Sequence, residues 1–199
     1  SGVKVILSTG MSTEKEIIKA VNYLRKNKLK NHKISILHCT SEYPAQVNNL
    51  NLMFIKKLRQ IFKNNVIGYS DHTDNINTPS IAIALGAQII EKHFTLSKKL
   101  SGPDHKASLN IFQFKKMIEL INYTKTSLGN YSKKISSSEK STSKLVRKSL
   151  YAKKIIKKGN LLTEKNIISL RPEKKIKASN WDQLIRTKAK KNYNKYDEI

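Results

Sequence analysis

His72 and His93 are the two residues whose types and spacing point most directly to chemistry. Each lies in the polar stretch that follows a short β-branched run, so each sits at the polar end of a candidate strand, and the two runs are consecutive in the chain. Neighbouring parallel strands lie ~4.8 Å apart, close enough for two imidazoles on the same face to share one metal ion. Ser70 lies two residues before His72, and Glu91 two before His93, so strand alternation puts all four side chains on one face. That cavity would hold a hydroxyl, a carboxylate and two imidazoles. The competing reading is that each histidine only hydrogen-bonds a loop.

Other polar residues gather at equivalent places. Ser41 and Tyr43 follow the Ile34–His38 run, and Pro44 fixes the chain after them. A hydroxyl and a phenol suit a sugar or phosphate partner, and equally a satisfied turn with a packed tyrosine. Ser8 and Thr9-Gly10 could offer hydroxyls and backbone N–H groups to a phosphate before a helix N-terminus. Gly102-Pro103-Asp104-His105-Lys106 is a stiff charged loop that either closes over the site or makes an ordinary turn. Cys39 has no evident His-plus-carboxylate arrangement for nucleophilic catalysis and reads as packing. His32 falls in a helix–strand loop at the opposite end and reads as surface.

Four strands are needed to position these residues: Val3–Ser8, Ile34–His38, Val66–Tyr69 and Ala87–Glu91, each too short for a buried helix. Helical patterns follow them. Thr13–Leu29 opens on a Thr13/Glu16 capping box, and Leu50–Phe62 carries Leu52, Ile55, Leu58 and Phe62 on one face. Ser80–Leu85 starts after Pro79 and ends at Gly86, and Asn110–Leu128 ends at Gly129. Strand–helix alternation repeated four times means βαβ units and a parallel sheet. Polar residues at the carboxyl ends of the strands suit a (β/α)₈ barrel or a doubly wound sheet. No G-x-G-x-x-G follows any strand, so the expected architecture over residues 1–128 is half of a barrel, with a complete open sheet as the alternative.

Residues 129–144 are polar and Ser/Lys-rich and read as a linker. A small β-rich module is expected over 145–199, with a strand at Leu145–Ala152, a turn at Lys158-Gly159 and a short helix at Thr163–Ile168. The composition of the 199 residues is that of a globular chain, 38% hydrophobic and 27% charged, and no apolar stretch reaches membrane-spanning length. The net charge is +25, from 39 Lys+Arg against 14 Asp+Glu. The lysines are scattered and not interleaved with stacking aromatics, so a solvated surface is expected, without nucleic-acid or membrane binding. A single cysteine excludes an internal disulfide framework and fits a reducing, cytoplasmic compartment.

Several motifs together resemble the N-acetylneuraminate (sialic acid) synthase family. They are His38-Cys39-Thr40-Ser41-Glu42-Tyr43-Pro44, Gly68-Tyr69-Ser70-Asp71-His72-Thr73, Glu91-Lys92-His93-Phe94-Thr95-Leu96 and Gly102-Pro103-Asp104-His105-Lys106-Ala107-Ser108-Leu109. Ile6-Leu7-Ser8-Thr9-Gly10-Met11 looks like the family's fifth barrel strand. Arg147-Lys148-Ser149-Leu150, and Lys158-Gly159 through Arg171-Pro172, look like its C-terminal antifreeze-like (SAF, β-clip) domain. Each motif is common alone; five in register are specific.

The resemblance implies a fold, the second half of a TIM barrel (strands 5–8) followed by an SAF domain. It also implies a reaction: phosphoenolpyruvate condenses with the aldehyde of N-acetylmannosamine or a related amino sugar, releasing phosphate. A divalent metal would polarise the aldehyde oxygen, usually manganese, with magnesium or cobalt as alternatives. By position, His72 and His93 match the metal ligands, and Ser8, Ser41 and Ser70 the surroundings of the phosphate-bearing substrate. Tyr43 and Asp104 match positions near the sugar, and Glu91 a carboxylate beside the metal. Arg171 matches an arginine that one subunit extends into its partner's barrel, which implies a homodimer of the full-length enzyme.

The family's first four strands, with a glutamate near the reacting centre and phosphoenolpyruvate-binding lysines, have no counterpart in this sequence. Tyr196 stands where the family usually has the glycine of a second Lys-Gly turn. The chain is therefore expected to be the C-terminal part of a synthase, inactive alone. The alternative is a non-catalytic fragment that binds carbohydrate or a partner protein.

Overall fold

A computed structural model describes residues 3–199, which divide into two compact units, the first ending at Asn130 and the second spanning Tyr131–Ile199. In the first unit β1 (Val5–Ser8), β2 (Ile34–Cys39), β3 (Val66–Asp71) and β4 (Ile89–Lys92) form a parallel sheet in the order β1-β2-β3-β4. Sequential order with no reversal distinguishes this sheet from a doubly wound one, which turns back at a switch point. Each strand is followed by a helix: α1 (Glu14–Lys26), α2 (Phe54–Ile61), α3 (Thr78–Ala84) and α4 (Ile111–Leu128). Half of a (β/α)₈ barrel has this topology.

Alternation along the strands separates two faces. Ile34, Ile36, Ile67 and Tyr69 point to the helix side and pack with Ile17, Val21, Ile55, Leu58 and Phe62 in one core. Fully burying one such aliphatic side chain contributes about 1.5–3 kcal/mol. The other face, the inner side of a barrel, carries Ile6, Ser8, Leu37, Cys39, Gly68, Ser70, Ile89 and Glu91 in register. A Cβ on Gly68 would meet Leu37 Cδ2 at 2.4 Å and the Ile89 carbonyl oxygen at 2.7 Å, so the inner layer is filled there by a neighbouring side chain.

α1 and α4 start where their caps dictate, α1 and α2 end earlier than the apolar pattern suggests, and α3 starts at Thr78, two residues before the expected Ser80. Thr13 caps α1 through a capping box with Glu16, whose carboxyl is held below its usual range by those bonds. The expected Leu50–Phe62 helix is shortened to Phe54–Ile61, because Asn51 adopts a left-handed backbone (φ 43°). Asn110 and Gln113 form a second capping box at the start of α4.

The second unit departs from the sequence reading in three places. Within the segment read as a linker, α5 (Ser137–Val146) forms on a Ser136/Glu139 capping box that the Ser-rich composition obscured. It takes up Leu145 and Val146, so the expected strand shrinks to β5 (Ser149–Ala152). The expected helix at Thr163–Ile168 is instead a turn, with the Thr163 N–H donating to Asn166 Oδ1 at 2.7 Å, leading into β6 (Ile167–Leu170). Ile167 and Ile168 are β-branched and gain more by pairing antiparallel with Ala152 and Tyr151 than from one turn of helix. Single bridges Ile156↔Tyr193, Leu161↔Lys188 and Tyr151↔Glu198 bring the tail back around a small core of Leu150, Ile156, Leu162, Ile167 and Tyr193. A short α6 (Trp181–Leu184) lies against that core. Among the described residues no helix is long and apolar enough to cross a membrane.

Candidate functional site

The carboxyl ends of β2, β3 and β4 bring six of the sequence-derived candidates together. The His72 and His93 rings lie 5.2 Å apart, nearly perpendicular. The Tyr43 ring lies beside both, 4.2 Å from His72 and 5.4 Å from His93. The backbone holds this arrangement, because the Ala45 N–H donates to the His72 carbonyl at 2.9 Å and ties the loop after β2 to the end of β3.

A hydrogen bond defines which nitrogen of His72 carries the proton. His72 Nδ1 is 2.7 Å from the Thr40 carbonyl oxygen, an acceptor only, so Nδ1 carries the proton and Nε2 the lone pair. Ser70 Oγ lies 3.4 Å from that Nε2 but donates its own proton to Glu91 Oε1 at 2.6 Å. The Nε2 lone pair therefore stays available. His93 Nδ1 faces Asp104 Oδ2 at 3.8 Å, within ion-pair range but beyond hydrogen-bond reach.

Two imidazoles beside a carboxylate, with the His72 Nε2 lone pair uncommitted, fit a divalent cation with several positions left for water or substrate oxygens. Among the described residues no third His, Cys, Asp or Glu completes a three-ligand group. The remaining candidates are distributed unevenly. Ser41 packs against Gly10 so tightly that a Cβ there would lie 2.0 Å from Ser41 Oγ. A groove of about 620 Å³, large enough for a sugar, runs from Thr9 and Met11 past Cys39 and Ser41 to Asn51. Ser8 ends β1 opposite Leu37, two strands from His72 and three from His93. Arg171 belongs to the second unit, where it is exposed directly after β6.

Cys39 Sγ comes within 3.8 Å of His72 Nδ1, closer to the site than the sequence suggested. Burial pushes its thiol above the usual range, which keeps it protonated and a poor nucleophile. Tyr43 is likewise pushed up, by desolvation first and then by the charges around it, so it stands in the site as a neutral phenol.

The sequence reading missed the groups behind the site. On the helix side, between Ser70 and His72, lies Asp71; between Glu91 and His93 lies Lys92. Lys92 Nζ donates to Asp71 Oδ2 at 2.7 Å, with side-chain exposures of only 1% and 0%. Tyr69 Oη donates to Asp71 Oδ1 at 3.2 Å, and burial beside that carboxylate pushes the phenol far up. Burial draws Lys92 below the usual lysine range, opposed by Asp71. The signal was present in the sequence: alternation puts Lys92 against the helices, where a lysine needs an acid.

Comparison with known proteins gives this geometry a context. Residues 1–133 match the model of the NeuB family. The chain is 47% identical over 196 residues to an N,N'-diacetyllegionaminic acid synthase of Campylobacter jejuni, covering 98% of this chain and 58% of the relative. It is 37% identical over 187 residues to a pseudaminic acid synthase of the same species, covering 94% of this chain and 53% of the relative. The chain thus spans little more than half the length of these relatives. A solved structure described as a putative spore coat polysaccharide biosynthesis protein E from Chromobacterium violaceum superposes with a TM-score of 0.79 at 26% identity, over 100% of this chain and 60% of that one. A family model that spans the whole strand–helix unit, and relatives that align through both units, lead to one conclusion: the chain belongs to the NeuB family.

Proposed function

We propose that this chain carries the cation- and sugar-binding half of a nonulosonic acid synthase, which joins phosphoenolpyruvate to a 2-acetamido sugar aldehyde. Carbon 3 of phosphoenolpyruvate forms the new bond to the aldehyde carbon. Water supplies the oxygen at carbon 2, and phosphate leaves with its bridging oxygen. The observation that carries this reading is the 5.2 Å approach of His72 and His93 at the ends of adjacent strands, in a member of the NeuB family.

In this reading His72 and His93 hold a divalent cation, manganese or in its place magnesium or cobalt, through Nε2. Such an ion, when bound, polarises the aldehyde oxygen. Asp104 orients His93, and the Thr40 carbonyl orients His72. Glu91 keeps the Ser70 hydroxyl turned away from His72 Nε2. Ser41 and Ser8 supply hydroxyl donors to the phosphate-bearing substrate, Ser70 joins them when its hydroxyl turns from Glu91 to the phosphate, and Tyr43 lays an uncharged ring against the sugar. The second unit is an antifreeze-like SAF module whose Arg171 reaches the site of a partner subunit in a homodimer. Its antiparallel β5–β6 pair and the bridges that fold the tail back support that assignment.

The test is phosphate release from phosphoenolpyruvate with a panel of 2-acetamido aldoses, run on a closed barrel that carries these strands. Release that needs both substrates and a divalent cation, and disappears in His72→Ala, supports the reading. Release without an aldose, or insensitive to His72→Ala, overturns it.

A further inference from the structure

The β3–β4 ladder ends at Asp71↔Lys92, yet the two histidines lie one residue beyond it. Backbone pairing between these strands therefore does not set the distance between His72 and His93. A buried polar network on the opposite face continues the tie. Lys92 Nζ donates to Asp71 Oδ2 and also, in a very short contact, to the Thr73 carbonyl. Asp71 Oδ1 accepts from the Thr73 N–H at 3.0 Å, and Oδ2 from Thr73 Oγ1 at 3.2 Å. Thr73 Oγ1 lies 3.3 Å from Thr78 Oγ1, within hydrogen-bond distance, which joins the network to the first turn of α3. Residues 71 and 73, on either side of His72, are thus both clamped to the residue that precedes His93.

A buried ion pair is a poor way to gain stability, since apolar residues of similar volume usually do as well. Its advantage is directional: only one register and one strand-end geometry satisfy every donor and acceptor of Asp71, Thr73 and Lys92. Such geometry matters most where the inner face needs two imidazoles at a fixed separation.

We propose that the Asp71–Lys92 pair is a positioning device that acts through Thr73 to set the His72–His93 separation, and so governs divalent-cation affinity. The link to affinity rests on the cation reading above; the positioning does not.

The experiment compares wild type with Asp71→Asn/Lys92→Met, which removes both charges together, and with Lys92→Arg, which keeps the charge but changes its reach. Manganese binding is followed by electron paramagnetic resonance of the free ion, folding by thermal unfolding, and both imidazoles by ¹H–¹⁵N correlation spectra of the metal-free protein. His72→Ala serves as the control for the site. We expect the double variant to stay folded, to bind manganese about tenfold or more weakly, and to shift the ring signals of both histidines. Should the double variant fail to fold, folded Lys92→Arg carries the test with the same expected direction. Unchanged manganese affinity and unchanged ring signals in a folded variant overturn the proposal. If wild-type manganese binding is insensitive to His72→Ala, the cation reading fails, and the imidazole spectra alone decide the positioning.

Discussion

Ser70 Oγ donates to Glu91 Oε1 across the β3–β4 ladder at 2.6 Å, directly below the two imidazoles. The two residues are register partners, so the bond follows from strand pairing and needs no loop to form. It occupies the Ser70 proton that could otherwise have bonded His72 Nε2. A short bond between a hydroxyl and a carboxylate thereby leaves a neighbouring imidazole free to act as a ligand.

Replacing Ser70 tests this arrangement. Ser70→Ala removes a donor to the proposed phosphate group while leaving the His72 Nδ1 bond to Thr40 intact. A hydrogen bond to a charged group is worth about 1.5–3 kcal/mol, so the KM for phosphoenolpyruvate should rise roughly tenfold or more. Manganese affinity should change far less. Equal losses in both would show that Ser70 serves the cation.

His72→Ala and His93→Ala should each weaken manganese binding by about 100-fold or more, and Asp104→Asn by roughly tenfold, because the carboxylate acts through His93. Isothermal titration of the three variants gives the ranking. An Asp104→Asn loss as large as that of His93→Ala would make Asp104 a direct ligand.

Gly68 predicts a stability effect. Gly68→Ala puts a methyl 2.7 Å from a backbone oxygen and 2.4 Å from a packed leucine, neither of which can retreat easily. Overpacking of this kind costs about 1–3 kcal/mol, read as a lower urea midpoint with unchanged slope. A midpoint equal to wild type would mean that the inner face is loosely packed.

His38 predicts a pH dependence. Its imidazole is buried beside Phe54 and Tyr69, with Nε2 bonded to the Leu50 carbonyl at 2.7 Å. Burial holds its pKa below the unfolded value, only partly offset by that bond. A depressed folded pKa favours the neutral form, so its stabilisation is complete above the unfolded pKa of about 6.5 and is lost as pH falls from there toward the folded value. His38→Gln should flatten the fall in unfolding free energy on the acid side of neutrality. Parallel wild-type and variant curves would remove His38 as the cause.

Arg171 is tested by mixing. If it serves a partner's barrel, chains carrying Arg171→Ala and chains carrying His72→Ala, each inactive alone, should recover part of the activity when co-assembled. One site of the mixed dimer then has an intact barrel and an intact arginine. No recovery in a verified mixed dimer would return Arg171 to its own subunit.

Much of the strand–helix unit was legible because its signals are local. Each strand is a short β-branched run, α1 announces its cap, and polar residues cluster where the runs stop. Period-two alternation alone placed Ser70 with His72 and Glu91 with His93. The second unit was less legible, since Ser136/Glu139 looked like linker composition and Ile167-Ile168 was ambiguous between one helical turn and a strand. A partner 15 residues or more away, Tyr151 for Ile168 and Ala152 for Ile167, resolved that ambiguity.

By itself the sequence determined which residues stand at strand ends and which face each one takes, because backbone geometry and periodicity act over two to four neighbours. Tertiary structure decided the rest: that the rings of His72 and His93 meet at 5.2 Å, that Thr40 selects the His72 tautomer, and that Asp71 and Lys92 find each other behind them. These are distances between residues 21 to 32 positions apart, set by strand register and by burial of charge. No local propensity encodes them; the packing of the whole sheet against its helices does.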